Sequence, residues 1–311
     1  MAPDVVAFIF PGQGSQCVGM GKKLCERFPA ARQVFAQADD ALGFALSDLC
    51  FSGPENDLKL TENTQPAILT ASVAALRVLE TETALQPAFV AGHSLGEYSA
   101  LVAAGALDFV SAVKIVRERG RLMQQAVRAG EGAMAVVLGL ESDAVEALCA
   151  DAAEGEIVAP ANFNGGGQIV IAGAKNAVSR AMKLAKERGA RRVLDLPVSA
   201  PFHCELMRPA AEALEKVLSA FPVHPLNIAV VTNVEAEINR DAGRVKSLLV
   251  KQAVRPVRWE ETVRKLAELG CRRAIEVGPG KVLRGLIKRI APDMEADNFE
   301  VPDDLARLVA A

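Results

Sequence analysis

A pentapeptide at positions 92–96, GHSLG, carries the residue types that a nucleophilic serine requires. An apolar run precedes it and a helix-like stretch follows it, and this order of strand, G-x-S-x-G and helix is typical of a nucleophile elbow. The glycines permit a sharp turn because they lack a Cβ that would collide with neighbouring backbone. The turn presents the Ser94 hydroxyl at a helix N-terminus, where free N–H groups stabilise an oxyanion. The pattern therefore predicts acyl transfer through a serine ester, and leaves the acyl group and its acceptor open.

A serine nucleophile needs a nearby base, and the chain contains three histidines. His93 adjoins Ser94, and consecutive side chains in a tight turn point in different directions. His224 lies in a loop flanked by prolines. His203 lies between a predicted strand and a predicted helix, where α/β sheets carry functional groups. We therefore predict that His203 is the general base.

A hydrolase-like triad would also need an acidic residue between Ser94 and His203. Asp108 is better explained as the N-cap of a helix, and Asp195 as a residue at the end of a strand. The other acidic residues of this interval lie in no recognisable motif. We therefore expect a Ser–His dyad whose imidazole is oriented by a backbone carbonyl or a side-chain amide.

The elements that must position these residues alternate between strand and helix on both sides of a central region, which favours an α/β fold with a mostly parallel sheet. The predicted strands cover 5–10, 87–91, 228–231 and 271–277. The predicted helices cover 20–28, 30–42, 65–80, 97–104, 108–128, 204–220, 245–252, 260–269 and 282–290. Residues after 291 are acidic and weakly patterned, and we expect a loose tail there.

The central region has a different order of elements. Predicted strands at 132–138, 156–161, 168–172 and 192–196 alternate with helices at 143–152 and 176–187, and 162–167 is predicted as a loop. The order β-α-β-β-α-β is that of a ferredoxin-like unit. We therefore predict a discontinuous catalytic domain, 1–129 and 198–311, interrupted by a ferredoxin-like subdomain, 130–197.

Composition narrows the class of protein. The chain has 311 residues, half of them apolar, which supports a sizeable core and argues against disorder. The net charge of −3 gives no reason to expect a nucleic-acid partner. Six scattered cysteines without C-x-x-C spacing indicate reduced thiols and no zinc site. The amino terminus lacks a basic segment and no apolar run approaches 18 residues, so we expect neither a secretory leader nor a membrane span.

Six segments resemble, in the same order, those of the malonyl-CoA:acyl carrier protein transacylase family. The resemblance extends over about residues 5–290, and six ordered motifs are far more specific than the elbow alone. The segments are FPGQGSQ at 10–16, NTQPA at 63–67, GHSLGEYSAL at 92–101, PFH at 201–203, PVRW at 256–259 and EVGPGK at 276–281.

The resemblance implies an α/β-hydrolase-like core with a ferredoxin-like insertion, in agreement with the pattern of elements. It implies that Ser94 takes a malonyl group from malonyl-CoA as an ester, that His203 is the base, and that acyl carrier protein is the acceptor. It further implies that Gln13 and Leu95 donate backbone N–H groups to the oxyanion, and that a carbonyl partner for the histidine lies near Gln252. We expect no cofactor, no metal, no nucleic-acid or membrane partner, a monomer, and a cytoplasmic location, or a plastid or mitochondrial one if a transit peptide was removed.

A malonyl group differs from an acetyl group by one carboxylate, which a guanidinium binds in a planar, bidentate manner. A buried arginine left without that carboxylate would discriminate against uncharged acyl groups. The helical pattern does not distinguish Arg117 from Arg119, because both flank the apolar stripe, and a solvated helix face would suit either. Only the resemblance favours Arg119 as the substrate-binding residue.

Three other functions remain open at this stage. A serine esterase or thioesterase would use the same elbow with water as acceptor. An acyltransferase for methylmalonyl or another acyl group is a second alternative, and the bulky ring of Phe202 beside His203 leaves little room for an α-methyl group. The third is a non-catalytic interaction module that has kept the fold. The basic stretch 183–192 is either a solvated helix end or a contact for an acidic carrier protein.

Overall fold

The computed structural model describes residues 5–197 and 200–309, which form ten strands and fourteen α-helices. The strands are β1 (Val5–Phe10), β2 (Phe89–Gly92), β3 (Gly132–Leu138), β4 (Val158–Gly165), β5 (Gln168–Ala174), β6 (Arg192–Asp195), β7 (Ala229–Val231), β8 (Ile238–Asn239), β9 (Cys271–Val277) and β10 (Glu295–Phe299). The helices are α1 (Lys22–Arg27), α2 (Pro29–Leu42), α3 (Leu46–Ser52), α4 (Glu55–Leu58), α5 (Thr61–Glu82), α6 (Gly96–Ala103), α7 (Phe109–Gln125), α8 (Ser142–Ala153), α9 (Lys175–Glu187), α10 (Arg208–Ser219), α11 (Ala242–Val254), α12 (Trp259–Glu268), α13 (Val282–Ile290) and α14 (Asp304–Val309).

The larger sheet has the strand order β10-β9-β1-β2-β7-β8, and its pairs are parallel except for the antiparallel pair of β7 and β8. Side chains of β1 alternate between two apolar layers, as the period of two in a strand requires. Phe8 and Phe10 pack into the core that contains α5 and α7, whereas Ala7 and Ile9 pack against α12 and α13. The predicted mixed α/β class with a mostly parallel sheet is confirmed.

The smaller sheet has the order β4-β5-β3-β6, and its three pairs are antiparallel. One face is covered by α8 and α9. The other face carries Met134 and Val170, which pack with Phe202 into a separate apolar cluster. The main-chain N–H of Val257 donates to Ala161 at 2.9 Å, which ties β4 to the segment before α12. The smaller sheet therefore forms a wall of the space above the larger one.

Several predicted boundaries are wrong. The predicted loop 162–167 belongs largely to β4, which continues to Gly165, because the β4–β5 pairing extends to the two-residue turn. The predicted helix 204–220 is divided into a short 3-10 turn, Glu205–Met207, and α10. Helix α7 ends at Gln125 rather than near 128. Helices α3 and α4 and strand β8 were not predicted, because each is too short for a periodic signal.

The prediction of a loose tail after residue 291 is also wrong. Strand β10 pairs in parallel with β9 along its whole length, and α14 follows. Asp297 is buried, and its carboxylate accepts two hydrogen bonds from Arg273, at 2.8 and 3.1 Å. A buried, paired carboxylate looks like a surface residue in the sequence, which concealed the strand. Residues 310 and 311 lie outside the described residues.

Two other predictions fall outside the described residues. The second domain boundary lies at Val198, and residues 198 and 199 are not described. The prediction that no leader precedes the domain concerns residues 1–4, which are likewise not described.

Candidate active site

Ser94 lies in a sharp turn between β2 and α6. Its φ of 51° is in the left-handed region, which a residue with a side chain rarely adopts. A Cβ on Gly92 would overlap the backbone of Gly96, and a Cβ on Gly96 would overlap the carbonyl oxygen of Phe10. Both glycines are therefore required by the close packing of the turn. The side-chain oxygen of Asn233 accepts from the Ser94 N–H at 2.7 Å and so supports the strained residue.

The Ser94 hydroxyl oxygen lies 2.7 Å from Nε2 of His203. On the other side of the ring, Nδ1 lies 2.7 Å from the main-chain oxygen of Gln252. A carbonyl oxygen can only accept, so Nδ1 carries the proton and Nε2 is free to accept the proton of the hydroxyl. This is the arrangement of a serine nucleophile with its general base.

Burial lowers the pKa of His203 to about 3, and the nearby positive charge of Arg119 contributes to the lowering. The histidine is 4% exposed. It is therefore neutral at pH 7, which is the form that can remove a proton from Ser94.

Arg119 is fully enclosed beside the nucleophile, with 1% of its surface exposed. Its Nη1 donates to the side-chain oxygen of Gln65 at 2.7 Å, and its Nη2 donates to the side-chain oxygen of Gln252 at 3.0 Å and to the Ser94 hydroxyl at 3.1 Å. The guanidinium carbon lies 5.3 Å from the centroid of the Tyr98 ring, a cation–π geometry. Within residues 5–197 and 200–309, no carboxylate forms a salt bridge with Arg119 and its Nε has no hydrogen-bond partner, although the nearby charge of Glu97 favours the charged guanidinium.

Arg117 points away from the nucleophile. It donates to the main-chain oxygen of Glu62 at 2.8 Å and to the side chain of Asn63, and its guanidinium lies over the Phe44 ring. The structure thus separates the two arginines that the helical pattern left equivalent.

The loop after β1 lies against the elbow. A Cβ on Gly12 would overlap the carbonyl oxygen of His93, so glycine permits this approach. The next residue, Gln13, and Leu95 both line the cavity that contains Ser94. Neither of their main-chain N–H groups has a protein acceptor among the described residues. Both are available for the oxygen of a bound acyl group.

The cavity above Ser94 has a volume of about 120 Å³ and contains one buried cation, Arg119. An adjoining cleft of about 240 Å³ shares Gln13 and His93 with it and extends between the smaller sheet and α13. The apolar side chains that line the cavity are Leu95, Met123, Met134, Leu196 and Phe202. The space suits a small acyl group with one negative end, reached through the cleft.

The model of one protein family, described as the acyl transferase domain, matches residues 7–299, nearly the whole chain. The chain belongs to this family. A malonyl CoA-acyl carrier protein transacylase from Haemophilus influenzae is 51% identical over 291 residues, which are 93% of each chain.

Solved structures agree with this acyl transferase assignment. An acyl carrier protein S-malonyltransferase from Vibrio cholerae is 50% identical, with a TM-score of 0.96, covering 97% of this chain and 99% of that one. A malonyl-transacylase solved in complex with its type II PKS acyl-carrier protein is 46% identical, with a TM-score of 0.96, covering 98% of this chain and 99% of that one.

The acyl transferase fold brings together every residue that the sequence analysis assigned to the site. Five of them surround the cavity or the Ser94 hydroxyl directly, and the sixth, Gln252, lies behind His203. The assigned residues are Gln13, Ser94, Leu95, Arg119, His203 and Gln252.

Sequence reasoning missed three residues of the acyl transferase site: Gln65, Asn233 and Glu97. Gln65 holds Nη1 of Arg119, and its place in the NTQPA segment was an available signal. Glu97 is 2% exposed, and an acid within the otherwise apolar helix α6 was a second signal. Asn233, in the loop after β7, carries no signal in the sequence, because only folding brings it to Ser94.

Among the described residues of the acyl transferase, no cluster of three or more histidine, cysteine or acidic side chains could hold a metal ion. No helix among them is long and apolar enough to cross a membrane. The six cysteines are free thiols, and burial raises the pKa of Cys204, beside His203, to about 11, which disfavours its thiolate.

Proposed function

We propose that this acyl transferase moves a malonyl group from malonyl-CoA to the phosphopantetheine thiol of acyl carrier protein, through an ester on Ser94, and so supplies malonyl units for fatty acid synthesis. The observation that carries the proposal is the buried guanidinium of Arg119, which forms no salt bridge with any described residue and lies 3.1 Å from the Ser94 hydroxyl. A malonyl carboxylate bound there would supply the missing anion and place the thioester beside Ser94. The names of the relatives support the same substrate and acceptor.

In the first half-reaction, Ser94 Oγ attacks the thioester carbonyl while His203 Nε2 takes its proton. The main-chain N–H groups of Gln13 and Leu95 stabilise the oxyanion. The carbon–sulfur bond then breaks, and the coenzyme A thiolate leaves with the proton from Nε2. The product is a malonyl ester of Ser94 and a free thiol.

In the second half-reaction, the thiol of the carrier gives its proton to His203 Nε2 and attacks the ester. The oxyanion forms in the same place, the carbon–oxygen bond breaks, and Ser94 recovers its proton from Nε2. The bound carboxylate also offsets the charge of Arg119, which is one cause of the lowered pKa of His203. A bound malonyl group is therefore expected to raise the pKa of His203, which makes the histidine a stronger base.

The proposal extends to the domains of the chain. We infer that 1–129 and 198–311, which contain the larger sheet, form an α/β-hydrolase-like core, and that 130–197 is a ferredoxin-like insertion. The antiparallel strand order β4-β5-β3-β6 and the helices α8 and α9 support the insertion. A cytoplasmic monomer that uses no cofactor stays a prediction.

The test is intact-protein mass spectrometry after incubation with malonyl-CoA. The parent protein is expected to gain one malonyl group, and Ser94→Ala none. Addition of carrier protein bearing phosphopantetheine should remove the group and place it on the carrier. Release of free malonate at the same rate without carrier would instead identify a thioesterase, and labelling of Ser94→Ala would show that another residue is the nucleophile.

A further inference from the structure

The side chain and main chain of Gln252 contact three residues of the proposed site: His203, Arg119 and Ser94. Its main-chain oxygen accepts from His203 Nδ1 at 2.7 Å, and its side-chain oxygen accepts from Arg119 Nη2 at 3.0 Å. Its side-chain nitrogen donates to the main-chain oxygen of Ser94 at 3.0 Å. The main chain of Gln252 thus orients the base and its side-chain amide orients the guanidinium, so a group that holds the amide also holds Arg119.

The shortest contact of that amide is with Glu97. The Gln252 side-chain nitrogen lies 2.6 Å from Glu97 Oε2, against 3.0 Å to Ser94 and 3.2 Å to the Asn233 side-chain oxygen. The same carboxylate oxygen accepts from the main-chain N–H of Asn233 at 3.2 Å, and the Asn233 side-chain oxygen in turn accepts from the Ser94 N–H. Hydrogen bonds to an ionised carboxylate are shorter and stronger than those between neutral groups.

We propose that Glu97 is a positioning residue of this enzyme, which acts through the Gln252 side chain to orient Arg119. The proposal rests on the function proposed above. Glu97 accepts from the amide nitrogen, so the amide oxygen must face the guanidinium. Without that acceptor the amide nitrogen keeps only its longer contacts, with the Ser94 main-chain oxygen and the Asn233 side-chain oxygen, so its orientation is held less firmly. An amide nitrogen turned toward Arg119 would set two donors against each other.

The environment of Glu97 supports a functional rather than a stabilising role. The residue occupies the first turn of α6, where the other buried side chains of the helix are mostly small or apolar. Burying a carboxylate costs free energy, which an apolar residue at this position would avoid. Burial raises the pKa of Glu97 to about 7, and the hydrogen bonds from Gln252 and Asn233 act in the opposite direction. Both of these partners belong to the site.

A double-mutant cycle on the full-length enzyme tests the proposal, with kcat and KM measured for malonyl-CoA and acyl carrier protein. Glu97→Ala is expected to lower kcat/KM on the order of 10- to 100-fold, mainly through a higher KM for malonyl-CoA, because the guanidinium that would bind the malonyl carboxylate is displaced. In a Gln252→Ala background, the same substitution should cost less than about 3-fold, since the intermediary is already lost. Equal losses in both backgrounds would show that Glu97 does not act through Gln252, and overturn the proposal.

Glu97→Gln separates positioning from loss of fold. Glutamine keeps an oxygen that accepts from the Gln252 amide, so it should recover most of the activity that Glu97→Ala loses. If Glu97→Ala does not fold, the cycle is run with Glu97→Asp, whose shorter side chain withdraws the carboxylate from the amide, and additive losses there overturn the proposal equally. Glu118→Ala, which removes an exposed partner of Arg121, is the matched control for loss of a carboxylate.

A parent enzyme that forms no malonyl adduct on Ser94 would refute the proposed function, whereas an adduct with additive losses would refute only the role of Glu97.

Discussion

Nδ1 of His203 donates to the main-chain oxygen of Gln252 at 2.7 Å, so a neutral carbonyl occupies the position that a carboxylate holds in a Ser-His-Asp triad. The carbonyl fixes the tautomer of the imidazole and places no negative charge directly against its ring. The Arg119 guanidinium likewise donates to the amide oxygens of Gln65 and Gln252, which are neutral, and so remains open to the carboxylate of the substrate.

Arg119→Ala should separate malonyl from acetyl transfer. Removing the only guanidinium in the described lining of the cavity should lower kcat/KM for malonyl-CoA by about 100-fold or more, because the substrate carboxylate would then be buried without a partner. Acetyl transfer should change less than about 10-fold, since acetyl has no carboxylate to lose. Steady-state kinetics with both acyl-CoA substrates measure the ratio.

Arg117→Ala is the matched control for this experiment. It removes a guanidinium two residues away that binds Glu62 and Asn63. The ratio of malonyl to acetyl transfer should stay at the parent value. Equal losses of malonyl and acetyl transfer in Arg119→Ala would remove the assigned role of that arginine.

Phe202→Ala should admit a larger acyl group. The Phe202 ring lines the cavity beside His203, and one additional methyl group in a filled pocket typically changes selectivity by 10- to 200-fold. We expect the ratio of methylmalonyl to malonyl adduct on Ser94 to rise about 10-fold, as seen by mass spectrometry with an equimolar mixture of the two CoA esters. Phe221→Ala, at a half-buried ring that packs against the main core, should leave the ratio unchanged. An unchanged ratio in Phe202→Ala would place the size limit elsewhere.

Gly120→Ala should separate two packed helices. A Cβ on this glycine of α7 would lie 2.6 Å from the Thr61 carbonyl oxygen and 2.7 Å from the Glu62 Cα of α5. We expect a loss of about 1–3 kcal/mol in the free energy of unfolding, with reduced malonyl transfer because Arg119 precedes it.

Gly285→Ala is the matched control within a helix, because a Cβ there meets no atom within 4 Å. It should raise the free energy of unfolding by roughly 0.5–1 kcal/mol, since alanine loses less backbone entropy in a helix. Urea denaturation measures both changes. Similar effects of the two substitutions would show that the α5–α7 contact does not require glycine.

Glu276→Gln should change how stability depends on pH. Burial raises the pKa of Glu276 from its usual value near 4.5 to about 7, although the N–H groups of Leu283 and Arg284 favour the ionised form. Because the pKa is higher in the folded state, the contribution of this group is fully present below pH 4.5 and is lost as the pH rises through 7.

Glu276→Gln has no ionisable group at this position, so it does not lose this stability as the pH rises. Its free energy of unfolding relative to the parent should therefore rise by about 1 kcal/mol per pH unit between pH 5 and 7. Urea denaturation at the two pH values measures the difference. Glu295→Gln, at an exposed position of β10, should shift stability equally at both pH values. If the free energies of unfolding of Glu276→Gln and of the parent differed by the same amount at pH 5 and pH 7, the Glu276 carboxyl would be ionised throughout this range.

Much of the fold could be predicted because long elements carry a clear period. Strand β9, helix α13 and the N-cap at Asp108 occur where the sequence placed them, and the Ser111 N–H donates to the Asp108 side chain at 2.8 Å. The prediction of strands and helices failed where polar residues, which usually lie on the surface, are buried. Strand β10 contains Asp297 and Asn298, which are buried through pairing with residues that lie far away in the sequence.

The sequence by itself predicted Ser94 as the nucleophile, since a serine between two glycines after a strand needs only local geometry, and it predicted His203 as the base from among three histidines. The tertiary structure decided what depends on contacts between distant segments. It placed Arg119 and not Arg117 beside Ser94, set the Gln252 carbonyl against His203, and brought in Asn233 and Glu97. A helical period specifies which face of a helix is apolar, but the partner of each side chain is specified only when the helices pack.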